Sequence, residues 1–96
     1  MKYKTLKESL VATGHARMKV FGHSMEPIID SGTLLEYMVK DEYEVGDVVF
    51  CKVRGRYIDA HKIIKKVPGP RPRYLIANNK GHENGWTAQV YAAVVL

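Results

Sequence analysis

Asp47-Val48-Val49-Phe50-Cys51-Lys52-Val53-Arg54-Gly55-Arg56-Tyr57-Ile58-Asp59-Ala60-His61-Lys62-Ile63-Ile64-Lys65-Lys66-Val67 is the stretch that decides the fold class. Two runs rich in β-branched and aromatic residues flank the short break Arg54-Gly55-Arg56, so the stretch reads as a hairpin of two strands, 47–53 and 57–67. Upstream, Glu44-Val45-Gly46 is another break, and 33–39 reads as a strand before it. Downstream, Pro68-Gly69-Pro70-Arg71-Pro72 cannot join a sheet interior and must be a loop, after which 73–77 and 88–95 supply two more strands. Nearer the N-terminus, 16–21 reads as a strand. Thr5-Leu6-Lys7-Glu8 has capping-box spacing, Leu6 and Leu10 lie one turn apart, and Gly14 suits a C-terminal cap, so 6–13 reads as a helix. The expected class is mainly β: several short, mostly antiparallel strands with one short N-terminal helix.

At 96 residues the chain can build one modest core, so a single domain over 1–96 is expected, with 1–15 as helix and lead-in and 16–96 as the β core. Hydrophobic residues at 46% and charged residues at 26% exclude a disordered or fibrous class. The N-terminal MKYKTLKESLVATG is basic without an apolar core, and no long uninterrupted apolar run follows, so neither an export signal nor a membrane span is expected. Cys51, the lone cysteine, sits in an apolar run and reads as a buried hydrophobe, which fits a reducing, cytoplasmic setting. Trp86 reads as core and Met25 as a gap-filler. His15, His23 and His82 lack metal spacing with one another or with Cys51, so no metal and no cofactor is expected.

Net charge is +5, yet seven of the ten acids fall between Glu26 and Asp47 and none between Ala60 and His82. The latter stretch holds Lys62, Lys65, Lys66, Arg71, Arg73 and Lys80, a strip that reads first as a solvated face. Nucleic acid as a partner is not favoured, because no nucleic-acid module accompanies the strip.

The chemistry concentrates at Gly22-His23-Ser24-Met25-Glu26-Pro27, where Gly and Pro end the strand and leave Ser24 on a turn. A serine hydroxyl becomes a useful nucleophile only when it is exposed, rigidly held and placed beside a base. Gly22 permits positive φ or close approach, and the backbone N–H groups around Gly22, His23, Ser24 and Met25 are candidates to face a developing oxyanion.

Gly-x-Ser-Met-x-Pro, followed by Asp30-Ser31-Gly32-Thr33-Leu34-Leu35, resembles the nucleophile segment of the LexA/signal-peptidase superfamily of serine peptidases. The similarity continues through Gly46-Asp47-Val48-Val49-Phe50 and Tyr57-Ile58-Asp59-Ala60-His61-Lys62, in order and spacing, over residues 20–95. The resemblance implies a small LexA/signal-peptidase-like β-fold and serine endopeptidase (hydrolase) activity on a protein or peptide substrate. LexA-like and most bacterial members carry lysine as base, whereas the archaeal and endoplasmic-reticulum type carry histidine, and His61 matches the histidine position. The resemblance thus implies a Ser24–His61 dyad.

Lys62 is the alternative base, but successive strand side chains point to opposite faces, so only one of the two can face Ser24. A neutral imidazole also works near its ordinary pKa, where a lysine needs several units of depression. In the histidine type an aspartate orients the base. The matching stretch here, Ile76-Ala77-Asn78-Asn79-Lys80-Gly81-His82-Glu83-Asn84-Gly85-Trp86, has none, which leaves Asn79, Asn84 and Glu83 as orienting candidates. Asp59, two residues and about 7 Å before His61, reads as a surface charge on the same strand face.

Signal peptidases carry a membrane anchor and LexA-like proteins a DNA-binding domain, neither of which is expected here. That leaves a minimal catalytic-type domain of the sort phages and mobile elements encode. The competing expectation is a catalytically weak or inactive peptidase-fold module that sequesters a protein partner or forms a homodimer.

Overall fold

The computed structural model describes residues 2–96. It contains helix α1 (Lys2–Thr13) and strands β1 (His15–Val20), β2 (Thr33–Met38), β3 (Val48–Val53), β4 (Arg56–Val67), β5 (Arg73–Ala77), β6 (Glu83–Thr87) and β7 (Gln89–Val94). The strands form one antiparallel sheet in the order β1-β2-β7-β3-β4-β5-β6. The class is mainly β, as the hairpin reading predicts, and that hairpin is β3–β4.

β3 explains its own composition. Val48 and Phe50 belong to one buried cluster, and Val49, Cys51 and Val53 to a second on the other side of the sheet. A strand covered on both faces needs an unbroken apolar run instead of alternation. The first cluster also takes Leu6 and Leu10 from α1, together with Met25 and Ile29 from the loop after β1.

The helix differs from its prediction at the start. It begins at Lys2, so Thr5 lies inside it and the capping box does not open it. The cause is tertiary: Tyr3 stacks on Phe50 and Tyr57, with ring centroids 6.0 and 5.1 Å apart, on the same helix face as Leu6 and Leu10. Burying a large apolar side chain yields about 1.5–3 kcal/mol, more than the few tenths to about 2 kcal/mol of a cap. At the other end Gly14 is the cap, with φ +77° and its N–H donating to Leu10 O at 2.8 Å.

Sequence reasoning missed β6. Its Glu-Asn-Gly-Trp-Thr looks like a turn, but Gly85, at φ +126°, lets the strand pass close to the β3–β4 turn: a Cβ there would sit 3.4 Å from both Arg54 Nε and Val53 Cγ1. Thr87 faces inward, its Oγ1 donating to Lys52 O at 2.6 Å. Trp86, the next position outward on this edge strand, is 44% exposed instead of buried in the core.

The ladders slip at several points. Between Val49/His61 and Cys51/Ile58, the two residues Asp59 and Ala60 stand opposite Phe50 alone. Between Ile76/Gly85 and Ala77/Glu83, Asn84 is the extra residue. Such bulges bend a strand and re-aim the side chains beside them. Both lie at the candidate site.

Candidate active site

Ser24 is placed by what surrounds it in the chain. β1 ends at Val20, and Gly22 takes φ +110°, a conformation that disfavours any side chain. The Gly22 N–H donates to Ser31 Oγ at 3.0 Å, and the Gly32 N–H to Val20 O at 2.7 Å, which closes the loop at its base. Met25 and Ile29, joined by an Ile29 N–H to Met25 O bond of 3.0 Å, are buried in the first cluster. Ser24 therefore sits one residue from an apolar anchor. From the other side the Asn79 N–H donates to Ser24 O at 2.8 Å, and Asn79 Nδ2 donates to Glu26 O at 2.9 Å.

His61 on β4 completes a relay. Its Nε2 lies 3.1 Å from Ser24 Oγ, and its Nδ1 lies 2.7 Å from Asn84 Oδ1. A carbonyl oxygen only accepts, so Asn84 takes the Nδ1–H and leaves the Nε2 lone pair for the serine proton. Burial lowers the His61 pKa from its ordinary 6.5, against opposing help from the Asn84 bond and the negative charge of Asp59. The ring is accordingly neutral at pH 7, the state a base requires.

The other candidates divide. Asn84 accepts from the His61 ring, whereas Asn79 holds the backbone of the Ser24 loop and accepts from Lys62 Nζ at 3.2 Å. Glu83 is exposed at the start of β6. Lys62, next to His61, directs its ammonium to Asn79, while the imidazole takes the serine. His23 points outward, 67% exposed, with Nδ1 2.9 Å from Glu26 Oε2, so its side chain stays out of the relay. Met25 is both a buried filler and a wall of the cleft.

The cleft beside Ser24 has a volume of about 240 Å³. Two of its residues escaped sequence reasoning as parts of the site. Tyr3 arrives from α1, which no local pattern connects to Ser24. Asp59 is not a surface charge: it lines the cleft, its carboxylate accepts the Tyr3 hydroxyl, and its backbone carbonyl accepts the Tyr37 hydroxyl at 2.8 Å. The bulge at Asp59–Ala60 also breaks the two-residue period, so Asp59 does not share a strand face with His61 in the simple way alternation predicts.

Within the basic strip Lys62 and Lys66 take different partners. Lys66 pairs with Glu42 and Glu44 at 2.9 and 3.1 Å. Cys51 is fully buried, and burial pushes its thiol up to about 12, which keeps it an inert hydrophobe at neutral pH. No described helix is long and apolar enough to cross a membrane. No family model matches the chain, and no curated protein does.

Proposed function

We propose that the chain is a serine peptidase resembling the LexA/signal-peptidase superfamily, with Ser24 as nucleophile and His61 as base. The observation that carries this reading is the relay Ser24–His61–Asn84, at 3.1 and 2.7 Å, opening on a cleft. His61 Nε2 takes the Ser24 proton as Oγ attacks a peptide carbonyl, then returns it to the leaving amine, and water hydrolyses the acyl-serine by the same route. Among the described residues the Ser24 and Met25 N–H groups donate to no backbone carbonyl, which suits them to the oxyanion.

The substrate is an extended segment. β1 is a sheet edge, and the ladder of β4 with β5 starts only at Lys62, so Tyr57–His61 offers backbone to an added strand. Asparagine in place of a carboxylate makes the base weaker than in a charged triad, and the negative charge of Asp59 offsets part of that loss. The same asparagine is what favours the second reading, a peptidase fold that binds an extended segment without cleaving it.

A fluorophosphonate probe and a peptide library separate the two. The peptidase reading expects phosphonylation at Ser24 and cleavage by the intact protein, both lost in Ser24→Ala and His61→Ala. Binding of peptides with neither labelling nor cleavage establishes the module instead.

A further inference from the structure

The cleft beside Ser24 has mixed walls. Apolar Val20, Met25 and Ile29 line it together with Tyr3, Tyr57 and Asp59. Among the described residues that line it, Asp59 is the only one with a carboxylate, and no lysine or arginine joins it there. One of its carboxylate oxygens is shut off from solvent, so its charge acts through a poorly screened environment. The neighbours register that field: it helps raise the Tyr3 and Tyr37 hydroxyls and opposes the burial that lowers His61. Each effect resists a new negative charge or supports a positive one. A cation entering the cleft gains from the same field.

Resting on the peptidase reading, we propose that this cleft selects a peptide with a lysine or arginine side chain within two residues of the scissile bond, with Asp59 opposing its charge. The reach fits. Two residues of extended chain span about 7 Å, at least the separation along β4 between His61 and Asp59. The rings of Tyr3 and Tyr57, stacked on each other at 5.1 Å, give the alkyl stem of such a side chain an aromatic wall. A norleucine of similar length forgoes the charge, and a glutamate is repelled.

The test uses Ser24→Ala protein, which keeps the cleft without the reaction. Its binding to fluorescent peptides is read by anisotropy, with lysine, arginine, acetyl-lysine, norleucine or glutamate scanned through the positions flanking the bond. Lysine and arginine peptides are expected to bind about tenfold more tightly than norleucine peptides, an advantage that acetylation removes. In Ser24→Ala/Asp59→Asn, which still offers Tyr3 an acceptor, the advantage falls to about twofold or less. Acetyl-lysine keeps the test valid should that double variant fail to fold.

No binding, equal binding of lysine and norleucine peptides, or a preference that survives both acetylation and Asp59→Asn overturns the proposal. Fluorophosphonate labelling of the intact protein reports separately on the peptidase reading. A cationic preference without labelling leaves the subsite and removes the catalysis, and labelling without the preference does the reverse.

Discussion

The two sides of the candidate site are held by different forces. On the Ser24 side the loop from Gly22 to Gly32 is pinned by apolar burial, through Met25 and Ile29, with backbone bonds at its base. On the Asn84 side a bulged edge strand is shaped by polar bonds, including those from the Lys80 and His82 N–H groups to Asn78 Oδ1, both 2.9 Å. Burial is non-directional and insensitive to pH, whereas hydrogen bonds to an imidazole are directional and follow its protonation. Damage to the first side should therefore cost stability and activity together. Damage to the second should change activity and its pH dependence while the fold survives.

The largest effect belongs to the residue shared by both sides. His61→Ala leaves the serine without a base, and phosphonylation and cleavage are expected to fall at least about 10³-fold. Next comes the apolar anchor: Met25→Ala opens a cavity under Ser24 and should destabilise the fold by about 2–5 kcal/mol in urea titration, with activity falling alongside. If Met25→Ala leaves the denaturation midpoint unchanged, the loop is not pinned by burial.

Asn84 separates the sides most clearly. Asn84→Ala is expected to lower kcat/KM about tenfold with a stability change below about 1 kcal/mol. Asn84→Asp supplies a charge beside Nδ1, so it should raise the His61 pKa, shift the acid limb of the rate profile to higher pH, and increase the plateau rate by about tenfold or more. An unshifted acid limb would show that Asn84 does not contact the base in solution. The smallest effect is assigned to Lys62→Met, for which labelling should stay within about twofold of the original rate because the amine serves Asn79 and not Ser24.

The pH dependence has a definite sign. The folded pKa of His61 is depressed below its ordinary 6.5. Its contribution to stability is therefore fully present above that value and is lost as pH falls through the folded pKa, where the buried ring must take up a proton. Catalysis follows the same group, so kcat/KM should rise with pH to a plateau whose midpoint lies below 6.5.

Which parts of this were legible in sequence follows from the range of the interactions. The Ser24 loop is local chemistry: Gly22, Ser24 and Pro27 announce a turn, and the structure has one. The β3–β4 hairpin is equally local, and so is the alternation that turns the neighbours His61 and Lys62 to different partners, Ser24 and Asn79. In sequence Asn84 stands level with Asn79 and Glu83, because a register slip decides which residue of β6 is turned toward His61, and a slip of one residue leaves no mark on a two-residue pattern. Asp59 was misjudged for the same reason, at the β3–β4 bulge. Tyr3 could not be found at all, since its place depends on α1 folding back over Phe50 and Tyr57.

The proposed chemistry requires Ser24 to be activated by a neutral His61. Its most direct test is the rate of Ser24 phosphonylation by a fluorophosphonate across pH 5–9, located by mass spectrometry, in the intact protein and in His61→Ala. The expected result is labelling confined to Ser24, rising to a plateau from a midpoint below 6.5, and absent without the imidazole. Labelling that is absent from the intact protein, or equally fast in His61→Ala, would contradict it.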